Sequence, residues 1–365
     1  MKICFAAIPA FGHTFPMVPL AAAAQAAGHE VMFVSGDAFV DRLPVPVVSG
    51  VPAGLDLQRA EREAVEVGTD RSDPLWFPRA MFGVVMPRHT APKVRETWAQ
   101  HGRPDLLVHE VANLGPAQVA AQQGVATVGF NIDMFAAGWL AMWPPEHGLP
   151  APVVLDPSPP SWTDGAGAEG FERLPIRSVA WSFSGGAGGE WLAGATSGPR
   201  GYLTLGTGSF GAVDVLRRSI LAAAQVCERV LVAAGPDGDP AALGDLPPSV
   251  RVERFVDQAA VLRHADVAIH HGGTGTLLAC LAAGVPQVLT PQGADQFVNA
   301  ERLGQLGLGR VVPNDAAPGA LDAALGELLG DEVALTRVSA VRDEIAGMPA
   351  PETVLEQLVQ RVRRS

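Results

Sequence analysis

The sequence has no basic half. Its 365 residues hold 26 Lys and Arg against 38 Asp and Glu, and residues 1–180 and 181–365 each carry a net charge of −6. With a pI near 5.2, binding to a nucleic-acid backbone is disfavoured, and a small-molecule partner is expected. Cysteine is scarce as well. Cys4, Cys227 and Cys280 are far apart, odd in number and form no CxxC pair, so neither a zinc site nor a disulfide scaffold is implied and a reduced, cytoplasmic setting is expected. His101, His109, His147 and His264 have no ligand spacing, and no metal is expected. No apolar run approaches the ~18 residues needed to span a bilayer. The N-terminal run stops at Pro9, too soon for an export signal. A GxGxxG fingerprint is missing after the first strand, which disfavours a dinucleotide, and no short-period repeat suggests a solenoid.

What is present is a core. The chain is 48% hydrophobic and 18% charged, with a mean hydropathy of +0.19, which excludes a disordered protein. Its length fits about two domains. Lys2–Ile8 reads as a buried strand, Met17–Ala27 as a helix ended by Gly28, and Glu30–Ser35 as the next strand, together a βαβ unit. The rhythm returns at Leu106–His109, a helix near Asn113–Gln123, and Ala126–Phe130, with a longer helix carrying Trp76, Phe82, Met86 and Trp98 between. Residues 144–177 are dense in proline and read as a stiff crossover and linker. A second series follows: Tyr202–Leu205, Val215–Glu228, Val230–Ala233, Val250–Glu253, Val267–His270, a helix from Thr274, and Val288–Thr290. The expected fold is α/β, two Rossmann-like parallel-sheet domains facing across a cleft, one over 1–177 and one over 178–365. The last helix, about 351–365, is expected to pack back on the first domain.

Ligands of open α/β sheets bind beyond the carboxyl ends of the strands. In the second half that place is held by His270-His271-Gly272-Gly273-Thr274-Gly275. Glycines let the backbone approach an anion, and a helix start offers free N–H groups, with His271 and Thr274 as side-chain donors. A helix end contributes only ~0.3–1 kcal/mol, so several donors must converge to hold a diphosphate. Gly206-Thr207-Gly208-Ser209 is a second glycine turn, readable also as a plain turn. In the first half, His13 follows strand one, a residue type suited to base work near neutral pH if a carboxylate orients it. Glu110 and Asp133 are the candidates. Asp237 and Asp239 sit in GPDGDP and read as turn residues. All seven tryptophans lie at or before Trp191. Trp76, Phe82, Met86, Met134 and Trp139 are candidates for an apolar acceptor wall, with core packing as the alternative.

Two stretches resemble a known family: GHTFPMVPLAAAAQAAGHEVMFVSG near the start, and VDQAAVLRHADVAIHHGGTGTLLACLAAGVPQVLTPQGADQFVNAERL in the second half. With DPSPPSW at 156–162 and YLTLGTGS at 202–209, they are similar to the GT-B glycosyltransferases of the UDP-glycosyltransferase superfamily, especially actinobacterial enzymes that decorate antibiotics. The resemblance implies that His13 is the catalytic base. It implies that Glu110, where the family has aspartate, is the partner of His13. It gives the donor diphosphate to His271, Gly272, Gly273, Thr274 and Gly275, with Thr207 and Ser209 reaching the phosphates from the other side. Asp295 and Gln296 match the pair that binds sugar hydroxyls. Phe255, Val256 and Gln258 fall where the nucleotide base stacks, and Phe255 and Asp257 depart from the family's Trp-Val-Pro-Gln.

The implied activity is inverting transfer of a sugar or deoxysugar from a nucleotide-diphosphate donor, by family analogy dTDP-linked, to an apolar natural-product aglycone, without a cofactor or metal. The bond formed is to oxygen, or to an activated aromatic carbon. A GT-B sugar epimerase and a non-catalytic nucleotide-sugar-binding helper are the competing readings. Whether the chain forms a homodimer is left open.

Overall fold

Short apolar runs make the strands. In Lys2–Ala6 (β1), Ile3, Cys4, Phe5 and Ala6 are all fully buried, so both faces of the strand are covered, as parallel strands require. Glu30–Ser35 (β2), Val47–Ser49 (β3), Leu106–Glu110 (β4), Ala126–Phe130 (β5), Val153–Asp156 (β6) and Glu172–Pro175 (β7) complete a seven-stranded sheet in the order β3-β2-β1-β4-β5-β6-β7. Every pairing in it is parallel. The register sets Ala6 beside His109, so Glu110 emerges from β4 level with the loop leaving β1. The linker reading of 144–177 is corrected here: β6 and β7 extend the sheet where proline density suggested only a crossover. The long helix expected between Trp76 and Trp98 is also divided. A turn at Trp76–Pro78 and a π-helical segment Arg79–Val85 precede the regular helix Met86–His101.

Val18–Ala26 (α1), Met86–His101 (α2) and Leu114–Gln123 (α3) are the main helices around this sheet. Arg200–Thr204 (β8), Arg229–Ala233 (β9), Val250–Glu253 (β10), Val267–His270 (β11), Gln287–Leu289 (β12) and Gly309–Val311 (β13) form a second sheet, also all parallel, in the order β10-β9-β8-β11-β12-β13. Its core gathers Leu203, Ile220, Val230, Val232, Val267, Ile269, Val288 and Leu325. Thr274–Ala283 (α4), Gln296–Leu306 (α5) and Glu332–Gly347 (α6) belong with it.

The computed structural model describes all residues except 53–54, 56, 69, 74, 134–152, 164–170, 184–187, 195, 207–212, 236–237 and 365. It divides into two units: Met1–Ser158, Gly165–Arg177 and Pro349–Ser365, and Pro159–Asp164 with Ser178–Met348. The last helix, Pro351–Arg364 (α7), lies in the first unit, where it packs on α1. Val354, Leu355, Leu358 and Val359 are its buried stripe, a helical spacing. Arg361 holds Glu172 through both carboxylate oxygens at 2.6 and 2.7 Å. The three cysteines are free and buried; burial pushes the thiols of Cys4 and Cys227 up to about 12, so neither is a ready nucleophile. No helix among the described residues is long and apolar enough to cross a membrane.

Candidate active site

In the first unit, His13 lies on a single helical turn, Phe11–Thr14, directly after β1. Edge-to-face contacts of Phe11 with Phe15 and Phe39, both with centroids at 5.3 Å, pin that turn. Thr14 Oγ1 donates to the Ile8 carbonyl and meets Ser35 Oγ at 3.0 Å. His13 Nδ1 stands 3.2 Å from Glu110 Oε1. The Glu110 carboxylate is fully buried and is held by two backbone donors: Ile8 N–H on Oε1 at 3.3 Å and Ala112 N–H on Oε2 at 2.8 Å. A glutamate therefore reaches the imidazole from a fixed position despite its extra methylene. Asp133, the other carboxylate considered, exchanges hydrogen bonds with Asn131 through its backbone.

The remaining first-unit candidates separate. Phe82, on the π-helical segment, lies nearly parallel to the His13 ring, with centroids 6.3 Å apart and 28° between planes. Met86 is 1% exposed and packs with Ile8, Met81, Val85 and Ala112, a core position. Trp76 carries the Arg71 guanidinium 3.7 Å above its ring and meets Phe77 edge-on. Met134 and Trp139 lie outside the described residues.

In the second unit, β11 ends at His270, and α4 starts at Thr274 after three residues. His270 is fully buried, and its Nε2 stands 2.7 Å from Gln287 Oε1 while its Nδ1 accepts from Gly272 N–H at 3.0 Å. That pair of contacts fixes the neutral tautomer with the proton on Nε2. Burial, then the neighbouring His271, push its pKa from 6.5 down to about 3. The brace holds Gly272 at φ +92, a conformation that favours glycine. His271 is pushed down to about 4 by burial, and its buried Nδ1 has no hydrogen-bond partner among the described residues. Its ring fills the space a side chain would need at two glycines. A Cβ at Gly206 would lie 2.6 Å from His271 Cε1, and a Cβ at Gly273 would collide with Nε2. Gly206 and Gly273, 67 residues apart in sequence, thus both border one imidazole. Thr207 and Ser209 lie outside the described residues.

The N–H groups of Thr274, Gly275 and Thr276 open α4 and have no acceptor within the helix. The Thr274 hydroxyl, expected to face an anion, instead donates to Asp295 Oδ2 at 3.0 Å. What this helix start offers an anion is therefore its backbone N–H groups and its dipole. Asp295 precedes α5 behind Ala294, a non-glycine residue at φ +53. Gln296 is 4% exposed, and its Oε1 accepts from Gln292 N–H at 2.8 Å and Gly293 N–H at 3.2 Å. Phe255 meets Phe183 edge-on at 6.0 Å, Val256 is buried, and Gln258 Nε2 faces Tyr202 Oη and Thr276 Oγ1 at 3.4 and 3.5 Å. Asp239 accepts from Ala241 N–H at the start of a short turn, while Asp237 lies outside the described residues. No group of three His, Cys, Asp or Glu among the described residues is placed to hold a metal.

Relatives match this chain end to end. A family model described as erythromycin biosynthesis protein CIII-like, C-terminal domain, matches residues 218–361. The L-demethylnoviosyl transferase of Streptomyces niveus is 31% identical over 397 residues, covering 100% of this chain and 99% of that protein. The elloramycin glycosyltransferase ElmGT of Streptomyces olivaceus is 33% identical over 386 residues, covering 98% and 97%. The chain belongs to this family of antibiotic-pathway glycosyltransferases. The glycosyltransferase SsfS6 of Streptomyces sp. SF2575, solved in complex with thymidine diphosphate, superposes with a TM-score of 0.79 at 25% identity over 99% of both chains. The two parallel-sheet α/β domains are those of the GT-B fold.

In this glycosyltransferase, the departures from the family's usual residues have structural partners. Asp257 caps the helix Gln258–Leu262 by accepting from Ala260 N–H at 3.0 Å, and it also receives Ser182 Oγ. Sequence reasoning placed His270 in the anion-binding loop but not as its brace, the role its contacts with Gln287 and Gly272 give it, and it missed Asn299. Asn299 stands one helical turn beyond Asp295, a spacing that alone signals contact.

Proposed function

We propose that this glycosyltransferase transfers a sugar from a thymidine-diphosphate donor bound in the second unit to an apolar aglycone bound in the first, inverting the anomeric centre, with His13 as base. The observation that carries the reading is the His13–Glu110 pair: an imidazole with 20% of its side chain exposed, its Nδ1 directed at a fully buried carboxylate. With Nδ1–H donated to Glu110, the basic lone pair is on Nε2. Nε2 takes the acceptor hydroxyl proton as the oxygen bonds to C1, and the C1–O bond to the diphosphate breaks in the same displacement. Glu110 stabilises the imidazolium that forms. The departing diphosphate gathers negative charge, which the α4 N-terminus offsets and which His271, neutral, meets as an N–H donor. Asp295 and Gln296 bind sugar hydroxyls, and Phe255, Val256 and Gln258 bind the base, with Thr207 and Ser209 on the phosphates. The thymidine diphosphate complex of SsfS6 supports the choice of nucleotide, and Phe82 beside His13 supports an aromatic acceptor wall there.

Mass-spectrometric screening of dTDP- and UDP-sugars against polyketide and aromatic aglycones tests this reading. The expected result is a product heavier by one sugar, with nucleoside diphosphate released in equal amount and only when acceptor is present. Release without acceptor would favour an epimerase, and donor binding without turnover a helper protein.

A further inference from the structure

Asn299 is fully buried on α5, one turn after Asp295. Its amide nitrogen faces three oxygens: the Gly272 carbonyl at 2.9 Å, Thr274 Oγ1 at 3.2 Å and Asp295 Oδ2 at 2.9 Å. All three accept, which fixes the nitrogen side of the amide toward them; its Oδ1 is buried with no partner among the described residues. Thr274 spends its single hydroxyl proton on Asp295 Oδ2 at 3.0 Å, so its lone pair faces Asn299. Both hydrogen bonds described for the Asp295 carboxylate fall on Oδ2. Three chain segments, the loop after β11, the first residue of α4 and the residue before α5, are therefore tied by one amide and one hydroxyl.

We propose that Asn299 is a positioning residue that couples the diphosphate-binding loop to the sugar-binding carboxylate, leaving Oδ1 as the single oxygen Asp295 presents to a sugar hydroxyl. This rests on the donor reading above. The physical basis is the cost of the alternatives. Without the amide, the Gly272 carbonyl loses the partner described for it and Asp295 Oδ2 keeps only the Thr274 hydroxyl, and a buried acceptor left unpaired is strongly disfavoured. Asp295 would then turn to find donors and no longer hold one orientation. The loop and the carboxylate would relax together, because the same nitrogen serves both.

Calorimetric titration with thymidine diphosphate and with thymidine diphosphate glucose tests the coupling on the full-length chain. The ratio of the two dissociation constants isolates the sugar's contribution and is insensitive to loss of folded protein. In wild type the sugar tightens binding. Asp295→Ala abolishes that gain and leaves thymidine diphosphate binding within about twofold. Asn299→Ala abolishes the gain and also weakens thymidine diphosphate about tenfold, the scale of one charge-assisted hydrogen bond. In the Asn299→Ala, Asp295→Ala double variant the sugar gain falls no further. Thr274→Val, nearly isosteric, serves where Asn299→Ala does not fold: it reduces the sugar gain several-fold, more than it weakens thymidine diphosphate. Asn299→Ala or Thr274→Val with both constants as in wild type would overturn the coupling. Wild type that binds thymidine diphosphate but gains nothing from the sugar overturns it too, with the donor reading intact. Wild type that binds neither ligand overturns the donor reading itself.

Discussion

His13 and Glu110 illustrate how much of the chemistry depends on single atoms. Glu110 accepts on both oxygens, and only an unmodified carboxylate can accept from Ile8, Ala112 and His13 together. In Glu110→Gln one oxygen becomes an N–H₂ group, which must face a donor. We expect turnover to fall about tenfold, and stability by roughly 1–3 kcal/mol from the donor–donor clash, readable by steady-state kinetics and urea unfolding. Two other residues set the response to acid. His270 and His271 are pushed from 6.5 to about 3 and about 4 by burial. Above pH 6.5 both are neutral folded or unfolded and impose no penalty. As pH falls from 6.5 toward 4, the unfolded chain takes up protons that the folded chain refuses, so stability drops. Urea midpoints measured across that window should decline in wild type and decline less in His271→Gln. A midpoint flat from pH 6.5 to 4 would contradict the buried, neutral assignment.

At the scale of elements, the site is made by loops that leave parallel strands at their carboxyl ends. Gly273 shows how tightly: its missing side chain is the space that His271 occupies. Gly273→Ala should displace the imidazole and weaken thymidine diphosphate binding about tenfold while leaving thymidine binding unchanged, a contrast that calorimetry can read. Equal losses for both ligands would show that the ring does not serve the phosphates. The strands that carry these loops were legible because β1, β4 and β11 each contain an unbroken apolar run of at least three residues. β6 and β7 were not, since both lie among prolines that read as a stiff crossover. The π-helical turn at Arg79–Val85 was hidden for a different reason: the apolar spacing of Trp76, Phe82, Met86 and Trp98 reads as one helix and does not distinguish its winding. The HGGTG loop was readable from composition, whereas its ties to Asn299 and Gln287 join residues distant in sequence and needed the fold.

For the molecule as a whole, the chain returns to its first unit at the end. Arg177 N–H bonds the Pro349 carbonyl at 2.8 Å, and α7 then lays Val354, Leu355, Leu358 and Val359 on that unit. Burying four such side chains contributes on the order of 6 kcal/mol, comparable to the stability of a whole domain. A chain ending at Met348 should therefore lose the first unit's cooperative unfolding while the second unit still binds thymidine diphosphate. Calorimetric melting of the truncated chain checks this, and an unchanged melt would show that α7 is dispensable.

The central claim is that His13 removes the acceptor proton. The most direct measurement is single-turnover product formation by His13→Ala, with saturating donor and a hydroxyl acceptor identified in the panel, alongside donor affinity measured on the same preparation. A positioned general base contributes ~10²–10⁴-fold; the account predicts a rate loss of that size with donor affinity within about twofold of wild type. A His13→Ala enzyme that forms product at the wild-type rate would contradict it.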